Sequence, residues 1–207
     1  MKKARPCRAT ARALAVAALA LLASCAGGPP PPDWQLGASG ALRAFQEHYL
    51  KGESKLAEIE FARAKEELRR TGRGDLLARA ELLRCAARTA SLEFDACPGF
   101  EALRDVAGTE ERAYADYLAG RAARAAGEDA LSQLVAAGVL LKTAAITPAQ
   151  IAAATETASA QGWRRPLLAW LGVQAKRAED AGDREAAARI RRRIDLVSGA
   201  EVDGAAK

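Results

Sequence analysis

Apolar positions recur every three or four residues along most of this chain, and the pattern changes character only near the start. Residues 13–23, ALAVAALALLA, form one unbroken apolar run, and prolines follow at 29–32. Beyond them helical spacing takes over. Residues 38–51 align Leu42, Phe45 and Tyr49; residues 53–71 align Leu56, Ile59 or Glu60, Phe61, Ala64 and Leu68; residues 75–93 align Leu76, Leu83, Ala87 and Ala90. Gly72 and Gly74 stop the second of these helices, and Asp75 is placed to cap the third. Pro98-Gly99 marks a short helix to Val106, and Thr109 starts a longer one with Ala113, Tyr117, Gly120 and Arg124 in register.

The stretch EDALSQLVAAGVLLK resumes a helix with acids in its first turn, where the helix dipole favours them. Thr147-Pro148-Ala149-Gln150 reads as a capping box with proline at the first helical position. Gly162 ends that helix. Pro166 opens the next, with Leu167, Leu168, Leu171, Gln174, Ala175 and Ala178; residues 181–183 break it, and Ala187, Ile190, Ile194 and Val197 line the last. The pattern predicts an all-α domain of about nine helices over 38–198, with neighbours antiparallel and a frayed tail at 199–207.

Composition sharpens this picture. About a quarter of the positions are alanine and 5% are aromatic, so strands have little to work with. Helices so poor in large side chains pack best where small residues let backbones approach, as in stacked helical hairpins.

The start of the chain carries Lys2, Lys3, Arg5, Arg8 and Arg12 without an acid, then the apolar run, which is short for a span of about 20 residues. It ends in Leu22-Ala23-Ser24-Cys25, which resembles the lipobox of bacterial lipoproteins. The resemblance implies a leader over 1–24, cleavage between Ser24 and Cys25, and acyl chains on Cys25 that moor the product to a lipid bilayer. Ala26, where enterobacterial lipoproteins retained at the inner membrane have Asp, favours the outer membrane, facing the periplasm. Residues 25–37, with AGGPPPPD, read as a tether extended by polyproline II.

Removing the leader changes the electrostatics. The whole chain has 31 Lys and Arg against 26 Asp and Glu, but five of the cations lie in the leader, leaving a balanced mature chain. A basic surface of the kind that binds nucleic acid is not expected. The densest positive run, Arg189 to Arg193, follows acids and reads as a solvated helix face. Of four cysteines, Cys7 leaves with the leader and Cys25 carries lipid. Cys85 and Cys97 remain, either as a disulfide or as two separate buried thiols.

The stretch YLKGESKLAEIEFARAKEEL resembles half of a tetratricopeptide repeat through Tyr49, Gly52, Ala57, Phe61 and Ala64. Two weaker echoes keep its seven-residue step, from Gly120 to Gly127 and from Ala175 to Gly182. Phe45 stands where that family prefers a small residue, and the closing proline is missing.

Catalytic signals are thin. His48 is the only histidine, Glu66-Glu67 and Glu110-Glu111 are adjacent pairs that point about 100° apart on a helix, and no phosphate-binding, nucleophile-elbow or metal-ligand motif is present. No cofactor and no metal are expected. Trp163 and Trp170 flank RRPLLA, Trp170 as core, and Trp34 follows the prolines. The expected function is therefore a non-catalytic, membrane-anchored scaffold or assembly factor for another envelope protein, with Tyr49 and Phe61 as partner-binding or core residues. An envelope enzyme or ligand-binding protein with a pocket assembled in three dimensions is the alternative, and a self-associating spacer a further one.

Overall fold

The computed structural model describes residues 30–199. The leader, Ser24 and Cys25, and the tail from residue 200, lie outside them. Among the described residues there are nine α-helices, one 3-10 turn and no strand: α1 Asp33–Lys51, α2 Ser54–Arg69, α3 Gly74–Ala90, α4 Pro98–Glu101, the 3-10 turn Arg104–Val106, α5 Thr109–Leu118, α6 Ala130–Lys142, α7 Pro148–Ala160, α8 Arg164–Asp180 and α9 Arg184–Ser198.

Local chemistry sets most of these boundaries. The capping box at Thr147 and Gln150 forms as read, and Asp129 and Asp183 cap α6 and α9 by accepting from Ser132 and Ala186. Six helices close in one way. A residue one or two places beyond the helix is left-handed, and the N–H after it bonds back five residues, as in Glu53 to the His48 carbonyl at 2.8 Å and Asp183 to Ala178 at 2.9 Å. Glycine occupies the left-handed position after α1 and α8, at Gly52 and Gly182. Leu92 and Ala144 hold it after α3 and α6, with φ of 60° and 56°.

Helix α3 is the centre of the packing. Its Ala78, Leu82, Cys85 and Ala86 join one buried cluster, with Phe100, Tyr117, Leu134, Trp170 and Leu171. Its Ala80 and Ala87 join another, with Phe45, Tyr49, Leu50, Phe61 and Leu68 of α1 and α2. Helix α3 is therefore buried on two sides, with nine buried residues from Ala78 to Ala90. Gly138 of α6 sits so close to the Thr89 carbonyl that a Cβ there would collide with it, and Trp170 Nε1 donates to the Ala90 carbonyl at 3.2 Å. Helices α6 to α9 pack in chain order, whereas α3 packs on α6 across the short α4 and α5.

The structure corrects several boundaries. Helix α1 begins at Asp33, so the last five residues read as tether are helical; Asp33 lies in the first turn, and Trp34 docks on the cluster formed with α2. Asp75 lies inside the first turn of α3 and pairs with Arg73 at 2.6 Å rather than capping. Helix α5 stops at Leu118 because Gly120 turns left-handed, and no helix follows until Ala130. The step from Gly120 to Gly127 thus makes no tight hairpin, unlike Gly52 and Gly182. The acids expected in the first turn of α6 precede it, with Asp129 as the cap. Leu56 and Ile59 are 48% and 61% exposed, because Ala57, Phe61, Ala64 and Leu68 form the buried stripe of α2.

Candidate functional site

Tyr49 and Phe61 lie in the core. Phe61 is 2% exposed, packed at a tilt of 47° against Phe45 with ring centroids 4.9 Å apart and covered by the Arg84 guanidinium at 4.9 Å. Tyr49 is held between Phe45 and the Arg165 guanidinium. Its hydroxyl is buried without a hydrogen-bond partner among the described residues. Burial, and then the Glu93 charge, push its pKa up against the opposing effect of Arg165. Neither ring is presented to a partner.

Cys85 and Cys97 meet. Cys85 is on buried α3, Cys97 is in the loop before α4 with φ of 51°, their Cα atoms are 5.8 Å apart and their sulfurs adjoin. Asp95 completes a group of three potential ligands. Its carboxylate already accepts from the Cys97 N–H at 2.9 Å and pairs with Arg88 at 3.1 Å, and that neighbouring cation opposes a metal. The Cα separation is that of a disulfide pair.

Of the other candidate acid-base groups, His48, Glu67 and Glu111 are paired. His48 Nδ1 lies 2.5 Å from Glu53 across the α1–α2 turn. Glu111 turns to Arg79 at 2.6 Å, which holds its carboxyl below the usual range, and Glu67 pairs with Arg70. Arg189, Arg191 and Arg193 pair with Glu185, Glu179 and Glu156. Trp170 is fully buried, and Trp163 packs, partly buried, against both clusters.

Sequence reading did not find a cleft of about 730 Å³ between α6, α7 and the segment that follows α5. Each helix contributes one face at helical spacing: Gln133, Ala136, Ala137 and Leu140 from α6, and Gln150, Ala153, Ala154 and Thr157 from α7. Tyr117, Gly120 and residues 121–124 form the third wall. Extending α5 through Arg124, as the register of Tyr117, Gly120 and Arg124 suggested, hid the irregular segment that leaves this space. Alanine faces also carry little periodic contrast, so the pattern did not mark them.

Arg121 and Arg124 are the cations of the lining. Arg121 pairs with Asp116 at 2.6 Å. Arg124 lies over the Tyr114 ring at 5.2 Å and makes no ion pair among the described residues. The rest of the lining is rich in alanine, with the amides of Gln133 and Gln150 and the hydroxyls of Tyr117, Thr143 and Thr157. In comparisons with family models, curated proteins and solved structures, nothing matches this chain.

Proposed function

We propose that this protein is an envelope lipoprotein, acylated at Cys25 and anchored to the outer membrane facing the periplasm, whose helical domain is a non-catalytic scaffold or assembly factor for another envelope protein. The observation that carries the reading is Leu22-Ala23-Ser24-Cys25 at the end of a basic and then apolar leader. Helix α1 starts at Asp33, eight residues beyond the cysteine, so a folded domain follows the acylation point closely.

Two tight hairpins, α1–α2 around Gly52 and α8–α9 around Gly182, support a tetratricopeptide-like reading of the architecture. The partner surface is the outer face of α2. Leu56 and Ile59 are one helical turn apart and exposed there, a placement that water alone does not favour.

The test has two arms on the full chain in a bacterial host. Labelling with an alkynyl fatty acid is expected to mark wild type and not Cys25→Ala; equal labelling of both overturns the anchor. A photo-crosslinking residue at position 59 is expected to capture a discrete envelope protein, with capture lost in Leu56→Asp. Capture of nothing, or capture indifferent to Leu56→Asp, overturns the scaffold surface.

A further inference from the structure

We propose that the cleft between α6 and α7 binds a single alkyl chain with an anionic head, the chain lying along the alanine faces and the head on Arg124. The volume of about 730 Å³ falls within the range of small-ligand sites, roughly 300–1,000 Å³. A helix about 10 Å across would fill it in less than about two turns, too little for a stable helix-in-groove contact.

The state of the polar groups in the lining separates an alkyl chain from an extended peptide. Gln133 Nε2 donates to the Glu128 carbonyl at 2.9 Å, Thr143 Oγ1 donates to the Val139 carbonyl at 3.0 Å, and Gln150 Oε1 accepts from the Thr147 N–H at 2.8 Å. A peptide brings an N–H and a C=O with every residue, and the amide ends and hydroxyl left to Gln133, Gln150 and Thr157 are too few to replace the water that a chain of such atoms loses. Methylenes bring no such demand. Ala136, Ala137, Ala153 and Ala154 give them a smooth apolar floor on two adjacent helices.

The charge follows the same logic. Asp116 neutralises Arg121, while Arg124 makes no ion pair among the described residues, so among these the lining retains one positive charge. A carboxylate or phosphate head supplies the missing partner at Arg124 and leaves the chain to run past Ala137 and Ala153.

The inference stands apart from the scaffold surface on α2, and its test reads a different part of the chain. The full-length protein in membranes is exposed to three diazirine probes of equal chain length: palmitate, a lysophosphatidylglycerol and a hexadecylamine. Crosslinked residues are then mapped by mass spectrometry. The two anionic probes are expected to label α6 and α7 within the cleft at least five-fold more than the amine. Palmitate in excess of the lysophospholipid identifies a free fatty acid as the source, and the reverse identifies a lipid headgroup; either supports the site. Arg124→Glu is expected to reverse the preference for anions, and Ala137→Trp to abolish cleft labelling while retaining the helical circular dichroism of wild type. Labelling spread evenly over the surface, or indifferent to both substitutions, overturns the inference. So does capture of a protein, rather than lipid, by a photo-crosslinker at position 153.

Discussion

Arg165 and Tyr49, 116 residues apart in the chain, make a double contact: the Arg165 Nε donates to the Tyr49 carbonyl at 2.8 Å while the guanidinium covers the Tyr49 ring at 4.3 Å. The remaining nitrogens reach Glu93 at 3.0 Å and Ser54 at 2.6 Å. One side chain from the start of α8 thus ties the α1–α2 turn to the loop after α3. Arg165→Ala is expected to destabilise the protein by about 2–3 kcal/mol in urea titration, since charge-assisted bonds are lost and Glu93 keeps only the longer contact with Arg88 at 4.0 Å. Arg165→Lys restores the charge but not three divergent donors, and should recover less than half. Full recovery by lysine would show that the charge alone matters.

Two glycines within helices should respond with opposite signs. At Gly138 a methyl would strike the Thr89 carbonyl of α3, so Gly138→Ala is expected to cost about 1–3 kcal/mol. At Gly172 of α8 nothing lies within reach of a Cβ, and Gly172→Ala should stabilise by about 0.5–1 kcal/mol. Thermal unfolding of the two variants side by side checks the α3–α6 approach.

Ala144 ends α6 in the left-handed conformation and is exposed, so relieving it should meet no packing loss. Ala144→Gly is expected to stabilise by about 1 kcal/mol. Leu92→Gly should gain nothing, since Leu92 packs against the larger buried cluster. Equal gains at both positions would refute the packing role given to Leu92.

Cys85 and Cys97 are 12 residues apart and adjoin, so a disulfide-linked peptide pair is expected in a non-reducing digest. Replacing both by alanine should cost about 3 kcal/mol, as a short closed loop returns its entropy to the unfolded chain. Alkylation of both Cys85 and Cys97, mapped by mass spectrometry, in the unreduced, unfolded protein would refute the pairing.

All three tyrosines of the chain have raised pKa values, in each case first through burial. Tyr114 is pushed up to about 12. Unfolded tyrosine ionises near pH 10, so this stabilisation is complete below about that pH and is lost as pH rises towards the folded values. Tyrosinate absorbance should therefore appear together with the loss of helical circular dichroism. Tyrosines that ionise near pH 10 in a fully helical protein would refute the burial.

Helix identity and many helix ends were written locally. Alanine favours the helix wherever it stands, the capping box at Thr147 and Gln150 needs only four residues, and Gly52 and Gly182 turn the chain through their own backbone freedom. The end of α5 was less legible, because the apolar register ran on through Gly120 while the backbone turned.

Which face goes inward was left to tertiary structure. In α2 the stripe through Leu56 and Ile59 and the stripe through Ala57, Phe61 and Ala64 are both plausible in one dimension, and only Phe45 and α3 select the second. The joining of Cys85 to Cys97, the long reach of Arg165 to Tyr49 and the alanine-lined cleft arise between segments far apart in the chain. Helical hydrogen bonds close within four residues and so can be read from sequence; the burial of weakly amphipathic, alanine-rich helices depends on the surfaces they meet, and those surfaces exist only once the chain has folded.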